Sequence, residues 1–128
     1  MPHPTDIKLH QKSKVLDITF DNGETFALPC EYLRVYSQSA EVTGHAPGQE
    51  VLQTDKQDVN IDNITAVGNY AIKLHFDDGH DTGIYTWERL YDLGSNQQDY
   101  WVDYLRRLMR AGHTHPALEQ MKTEIKNA

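Results

Sequence analysis

Two segments of this chain repeat the same pattern of residues. Residues 15–34 read VLDITFDNGETFALPCEYLR, and residues 71–90 read AIKLHFDDGHDTGIYTWERL. In each, alternating apolar residues lead into Phe-Asp, then Asn or Asp, then Gly, and a second alternating stretch precedes a helical one. Alternation with a period of two predicts strands with one buried face, and the glycine motif predicts a tight turn between them. The sequence therefore predicts two β-hairpin–helix units.

The turn in each unit determines which side chains face the core. We expect a three-residue loop, a type I turn followed by a left-handed glycine, which makes a bulged hairpin. In both units this register collects the apolar residues on one face, and in the second unit it places His80 on that covered face. The predicted pairs are Phe20 with Glu24, Ile18 with Phe26, Leu16 with Leu28, Phe76 with His80, Leu74 with Thr82, and Ile72 with Ile84.

A helical stretch is predicted after each hairpin. Pro29 suits the first turn of a helix that continues over Cys30–Tyr36, since proline needs no hydrogen-bond partner there. Thr86 suits the N-cap of a second helix that begins at Trp87 and that Gly94 ends.

The longest helix is predicted from about Asn96 to Ala111. Ser95 and Gln98 have capping-box spacing at its start, and Gly112 follows its end. An apolar stripe at helical period indicates the buried face, and it consists of Tyr100, Trp101, Tyr104, Leu105, Leu108 and Met109.

The predicted fold is α+β: a mostly antiparallel sheet built from two β-hairpin–helix units, with a longer C-terminal helix packed on one face. Further strands are expected near Ile7–His10, Val59–Ile64 and Glu41–Val51. Residues 1–112 are expected to form a single domain. Residues 113–128 are expected to be a C-terminal tail, either a short helix or disordered.

Composition and charge limit the function classes. The chain has 128 residues, a net charge of −7 and one cysteine, Cys30, which excludes an internal disulfide. It has no apolar run of bilayer length and no secretory signal at its N-terminus, so we expect a cytoplasmic protein without a membrane partner. An acidic surface repels phosphate backbones, and the one basic cluster is small, so we expect no nucleic-acid partner. That cluster comprises Arg106, Arg107 and Arg110.

The histidines are the first candidates for metal ligands. The hairpin register places His75 and His80 on opposite faces, so they do not share one ion. His80 is predicted to be buried, either hydrogen-bonded in the core or acting as a ligand. His113 and His115 follow the last helix two residues apart and are interpreted as a flexible exit from it.

Other candidates have a structural interpretation that we favour. Cys30 has no neighbouring base or second cysteine and is expected in the core. Residues 37–41 and 44–48 could bind an anion through backbone amides, but ordinary turns explain them better. Trp87 and Tyr91 are the candidates for a partner-binding patch, because aromatic residues are enriched at interfaces.

Residues 33–49 (LRVYSQSAEVTGHAPGQ) and 74–94 (LHFDDGHDTGIYTWERLYDLG) resemble a known family in their order and spacing. It is the gamma-butyrobetaine hydroxylase-like N-terminal domain family, formerly domain of unknown function 971, and we expect a member of its stand-alone bacterial type. In the hydroxylases this domain holds zinc and precedes an iron- and oxoglutarate-dependent catalytic domain. In some plant proteins it is fused to a nucleotide-binding iron–sulfur carrier.

The resemblance implies a zinc site that is incomplete here. In the hydroxylases Leu-Arg is followed by Cys-x-Cys-x-x-Cys, and a histidine comes from the later hairpin. Ser37, Ser39 and Val42 stand at the cysteine positions, and His80 stands at the histidine position. Serine oxygen is a poor substitute for thiolate and valine offers no donor atom, so we expect no cofactor, with zinc or iron as the candidates if a metal does bind.

Three function classes follow. The preferred one is a non-catalytic accessory module that docks on a protein, with a link to iron–sulfur or metal handling that rests on analogy. The alternative is a metal-binding protein that uses His80 with Asp81, His45 or Cys30. An enzyme is not expected, because the chain lacks a nucleophile–base pair and a cofactor loop, and no counterpart of the hydroxylases' iron triad is present.

Overall fold

Each repeated segment folds into two antiparallel strands and a helix, and a further antiparallel strand precedes each segment, which confirms the α+β prediction. The computed structural model describes residues 1–37 and 51–120. The first unit comprises β1 (Pro4–His10), β2 (Val15–Phe20), β3 (Thr25–Pro29) and α1 (Cys30–Val35). The second comprises β4 (Ile61–Val67), β5 (Ala71–Phe76), β6 (Ile84–Thr86) and α2 (Trp87–Ser95). The longest described helix, α3 (Gln97–Arg110), follows, and residues 116–120 are also helical.

The strands form two three-stranded sheets with matching order, β1-β2-β3 and β4-β5-β6. The two sheets repeat each other in detail. The first strand of each pairs its first residue with a phenylalanine and then shifts register, Pro4 with Phe20 in one sheet and Ile61 with Phe76 in the other. The internal repeat of the sequence is thus a repeat of structure.

The turn of each hairpin has the predicted bulged geometry. Gly23 and Gly79 have φ angles of 88° and 86°, the left-handed region that glycine adopts without a steric penalty. The Phe20 N–H donates to the Glu24 carbonyl oxygen at 2.8 Å, and the matching bond from Phe76 to His80 is 3.0 Å long. The predicted pairs of the first hairpin are confirmed.

Beyond the turn, the predicted register of the second hairpin is wrong by one residue. Ile72 pairs with Tyr85 rather than with Ile84, and residues 81–83 are not in a strand. Tyr85 is therefore 1% exposed and Ile84 is 42% exposed. The Tyr85 hydroxyl donates to the Leu33 carbonyl oxygen at 2.6 Å, so burial of this ring satisfies its polar tip. The predicted pair of Leu74 with Thr82 is lost with the same shift.

Three helix boundaries also differ from prediction. Thr86 caps α2 as expected, because its hydroxyl accepts the Arg89 N–H at 3.1 Å. Gly94 does not end this helix, which continues to Ser95. Asn96, without a side-chain cap bond, separates α2 from α3, so the predicted capping box is wrong. In the first unit, Pro29 is the residue before α1 rather than part of its first turn.

The core has two parts. The larger joins buried residues of both sheets to α1 and α2, and the smaller joins α1 to α3 and to Leu118 in the final helical segment. Of the predicted α3 stripe, the assignment of Met109 to the buried face is wrong, because Met109 is exposed one residue before the helix ends. The predicted strand near Glu41–Val51 lies, as far as residue 50, outside the described residues. Among those described, no helix has the length and apolar character that crossing a bilayer requires.

Candidate functional site

A buried serine–histidine contact joins the second hairpin to the end of α1. The Ser37 Oγ and His80 Nε2 atoms are 2.9 Å apart, and the two residues are 2% and 5% exposed. Ser37 follows the last turn of α1, and its N–H points back to the Arg34 carbonyl oxygen. His80 follows the hairpin turn, and the Asp78 carboxylate accepts its N–H at 3.1 Å. Both side chains are therefore positioned by local backbone structure.

Gly83 makes the room that this contact occupies. A Cβ added at residue 83 would lie 2.4 Å from Ser37 Oγ. The equivalent position of the first unit is Phe26, whose ring lies 2.4 Å from where a Cβ of Gly94 would be. An aromatic ring thus fills the first unit at the place where a serine and a histidine meet in the second.

A charged network surrounds the same hairpin turn. The side chain of Arg34 is 8% exposed, and its Nε donates to Asp78 Oδ2 at 2.9 Å. Lys56 Nζ lies 3.2 Å from the same oxygen, and the Gln53 side chain accepts from Arg34 at 3.0 Å. Burial alone raises the pKa of Asp78, but the His80 N–H, Arg34 and Lys56 together hold that pKa below its ordinary value. The carboxylate is therefore ionised over the physiological range.

Of the sequence-predicted metal positions, the structure brings only Ser37 and His80 together. Ser39, Val42 and His45 lie outside the described residues. Asp81 is exposed and lies 3.9 Å from His75 on the other face of the sheet. Across residues 1–37 and 51–120, no three His, Cys, Asp or Glu side chains are grouped as metal ligands.

Cys30 is directed elsewhere. Its Sγ donates to the Asn60 side-chain oxygen at 3.7 Å, and burial raises the pKa of the thiol. The thiol therefore stays protonated at neutral pH. This is the core cysteine that the sequence predicted.

Trp87 and Tyr91, the predicted partner-binding pair, are both partly buried. The Trp87 indole N–H donates to the Asn69 carbonyl oxygen at 2.8 Å. The Tyr91 ring packs edge-on against Phe20 and Phe26, with centroids 5.1 and 5.6 Å away. These contacts hold α2 against both hairpins.

The structure contains a second buried polar contact that the sequence pattern did not predict. His115, predicted in a flexible exit, is buried, and its Nε2 lies 2.7 Å from Glu31 Oε2. Its Nδ1 accepts the Ala117 N–H at 3.0 Å, and its ring packs edge-on against Trp101. The prediction was wrong because Pro116 begins a helical segment that His115 caps. Proline at a first helical position was the signal in the sequence.

The Glu31–His115 contact lies beside a pocket of about 540 Å³. The pocket opens between the N-terminal ends of α1 and α3. Its walls are mainly aromatic and apolar, with two amides and one carboxylate, and it is lined by Pro29, Glu31, Tyr32, Gln97, Gln98 and Trp101. A concave apolar pocket with a few polar groups is the usual form of a binding site.

Comparison with known families gives one match. The family described as gamma-butyrobetaine hydroxylase-like, N-terminal, matches residues 7–91. The chain belongs to this family. No curated protein matches it significantly.

Solved structures extend the likeness of this gamma-butyrobetaine hydroxylase-like domain beyond the matched segment. One NMR solution structure is 59% identical, covers 90% of this chain and 86% of its own, and has a TM-score of 0.77. A second is 44% identical, covers 89% and 90%, and has the same TM-score. A crystal structure from Acidithiobacillus ferrooxidans is 35% identical, covers 72% and 92%, and has a TM-score of 0.60. That protein belongs to the domain of unknown function 971 family, and its function is unknown.

The zinc site that the resemblance implies does not fit the residues of this domain. At the described positions the donors are one imidazole and one serine hydroxyl, and those two bond to each other. A structural zinc site needs thiolates or imidazoles in a closed tetrahedral set. The sequence has serine and valine at the two remaining positions, Ser39 and Val42.

Proposed function

We propose that this domain is a non-catalytic module that docks on a protein partner. The pocket between α1 and α3 carries the proposal. Its Trp101 and Tyr32 walls and its amide rim have the chemistry of a recognition site, since tryptophan and tyrosine are enriched where proteins bind each other. The partner would insert a side chain into this pocket.

The candidate nucleophiles support a binding role over a catalytic one. Cys30 is buried, hydrogen-bonded and held as a thiol by its raised pKa. Ser37 does contact a histidine, but both residues are enclosed by the protein. A substrate would have to displace core packing to reach either group.

For the partner we propose an iron–sulfur carrier in the cytoplasm. The support is the resemblance, because similar domains are fused to such a carrier in some plant proteins. Fusion indicates that two domains act on the same process, and it is an argument by analogy. The pocket itself is compatible with any partner that presents a suitable side chain.

Photo-crosslinking in living cells tests the docking proposal. A photoreactive amino acid is placed at residue 98, on the pocket rim, and as a matched control at residue 88, which is exposed on α2. We expect a discrete protein adduct from residue 98 and none from residue 88, with the adduct identified by mass spectrometry. Equal labelling from both positions, or none from residue 98, would contradict docking at this pocket. An adduct with a protein unrelated to iron–sulfur handling would contradict only the partner class.

The alternative function is metal binding through His80. It predicts about one equivalent of zinc or iron in protein purified without chelator, and loss of that metal in His80→Ala. The docking proposal predicts less than about a tenth of an equivalent in both proteins. Elemental analysis by mass spectrometry separates the two.

A further inference from the structure

We propose that the pocket between α1 and α3 binds a basic side chain, lysine or arginine, of the partner through Glu31. This inference rests on the docking function proposed above and gives the chemistry of the docking residue. It follows from the geometry of the Glu31 carboxylate, the hydrogen bonds of His115 and the nature of the pocket walls.

The Glu31 carboxylate is fixed in position and presents one oxygen to the pocket. Its side chain is 13% exposed, and Oε2 bonds to His115 at 2.7 Å. Within the described part of the chain, no hydrogen bond reaches its Oε1, although Glu31 lines the pocket. A carboxylate so nearly buried is more stable when a donor reaches its second oxygen. The pocket is the side from which that donor can come.

His115 does not neutralise this carboxylate. Its Nδ1 accepts the Ala117 N–H, so the proton of the ring is on Nε2, where it donates to Glu31. An imidazole with one proton is uncharged. The pair therefore retains the full negative charge of Glu31 at the pocket wall.

The walls suit the remainder of a lysine or arginine side chain. Pro29, Tyr32 and Trp101 provide apolar surface for the methylene stem, and an indole ring attracts a cation over its face. The side-chain oxygens of Gln97 and Gln98 add acceptors. Among the described residues, no positive side chain lines this pocket, and Asp99 in the first turn of α3 offsets the positive end of that helix.

The charge of the whole chain favours the same occupant. A net charge of −7 attracts basic segments and repels acidic ones, which speeds encounter with a basic partner. An anionic side chain would meet both this field and the carboxylate of Glu31.

An NMR titration of the full chain with small probes tests the proposal. The probes are N-acetyl-lysinamide, its uncharged analogue N-acetyl-norleucinamide, and acetate. We expect the Trp101 indole and the Gln97 and Gln98 side-chain amides to shift saturably with the lysine probe, with a Kd in the range of about 1–10 mM that one side chain can reach. We expect at least about tenfold weaker binding of norleucinamide, because a charge-assisted hydrogen bond is lost.

Three variants complete the test. Glu31→Gln should weaken lysine-probe binding about tenfold, while Glu88→Gln, the equivalent position of α2, should leave it unchanged. Because Glu31→Gln also alters the bond to His115, Gln98→Lys provides a second test: it leaves that bond intact and should abolish binding by charge repulsion at the rim. The inference is overturned if norleucinamide binds as well as lysinamide, if acetate shifts the same resonances, or if Glu31→Gln binds normally.

The two proposals fail in different ways. If the probes do not bind but the photo-crosslinked adduct at residue 98 persists, docking stands and the basic-side-chain inference is wrong. If the adduct is absent while the lysine probe binds through Glu31, the pocket recognises a small cation and protein docking is wrong.

Discussion

The two hairpin–helix units share one set of backbone contacts but join to each other through different chemistry. In the first unit, the turn residue Asn22 donates to the Tyr91 hydroxyl of α2 at 3.0 Å. In the second, the equivalent turn residue Asp78 accepts from Arg34 of α1 at 2.9 Å. Each hairpin is thus anchored to the helix of the other unit, once by a neutral bond and once by an ion pair.

This difference shows where the sequence has freedom to change. The backbone bonds that close each turn are alike to within 0.2 Å, from 2.8 Å in the first unit to 3.0 Å in the second. The side chains between hairpin and helix differ completely: Phe26 against Gly94 in one, and Gly83, Ser37 and His80 in the other. The shared backbone therefore accommodates either apolar or polar side chains between hairpin and helix. The polar contact of His80 with Ser37 is explained by this packing without a bound metal.

Truncation of the shared frame should give the largest effect. Leu33 and Leu90 occupy equivalent positions in α1 and α2, and both are fully buried. We expect Leu33→Ala and Leu90→Ala each to lower the free energy of unfolding by about 2–5 kcal/mol through lost burial and a new cavity. Urea denaturation measures both. Losses that differ by more than about 2 kcal/mol would contradict the equivalence of the two units.

Removing the side-chain contact made by each hairpin turn should affect the two units differently. Asp78→Ala leaves the buried guanidinium of Arg34 without its carboxylate and should cost about 2–3 kcal/mol of stability, less than a fully buried pair because Asp78 retains some exposure. Asn22→Ala removes a neutral, exposed contact and should cost about 1 kcal/mol. Chemical denaturation of the two variants provides the comparison. Equal costs would show that the ion pair contributes no more than an ordinary hydrogen bond.

The stability costs of Asp78→Ala and Asn22→Ala should also depend differently on pH. Because the pKa of Asp78 is lowered in the folded protein, its stabilisation is fully present above the ordinary aspartate pKa of about 3.9 and is lost as the pH falls through the lower folded value. The stability difference between wild type and Asp78→Ala should therefore shrink in acid. The corresponding difference for Asn22→Ala should stay constant, and denaturation from neutral pH downward tests both.

Adding a side chain next to the Ser37–His80 contact should lower stability moderately. Gly83→Ala places a methyl group against Ser37 Oγ and should cost about 1–3 kcal/mol. Adding Ser37→Ala removes the obstructing oxygen and should recover part of the loss. Thermal unfolding of the single and double variants measures this. If Ser37→Ala worsens Gly83→Ala by its own full cost, steric conflict with Ser37 is not the cause.

The smallest effects should distinguish the two faces of the second hairpin. His80→Ala should lower stability by about 1–2 kcal/mol, because a buried hydrogen-bonded side chain is lost. His75→Ala, on the outer face, should change it by less than about 0.5 kcal/mol. Equal melting temperatures for the two variants would contradict the assignment of faces.

Sequence patterns predicted what is local and repeated. The turns followed from the glycine motif, and the burial of His80 followed from the first pair of the hairpin. The alternating pattern predicted the wrong face for Ile84, because it does not reveal that residues 81–83 include one extra residue. That residue lets Tyr85 reach Leu33. Gly94 was interpreted as a helix end, but its small size serves contact with Phe26, a residue of the other unit.

The candidate sites divide in the same way. The meeting of Ser37 with His80 was implied by the family resemblance, which supplied the long-range pairing that periodicity lacks. The contact of Glu31 with His115 joins residues 84 apart, and no local signal gives such a distance in sequence. The pocket beside it depends on how α1 and α3 pack, which only the tertiary structure shows.

The central claim is that a direct Ser37–His80 hydrogen bond joins the second hairpin to the end of α1. A double-mutant cycle with Ser37→Ala and His80→Ala tests it, with Thr65→Ala and His75→Ala as the control. The control pair makes a similar bond of 2.7 Å on the outer face. We predict a coupling free energy of about 1 kcal/mol or more for the buried pair and below about 0.3 kcal/mol for the exposed pair. Couplings of equal size, or none at the buried pair, would contradict the claim.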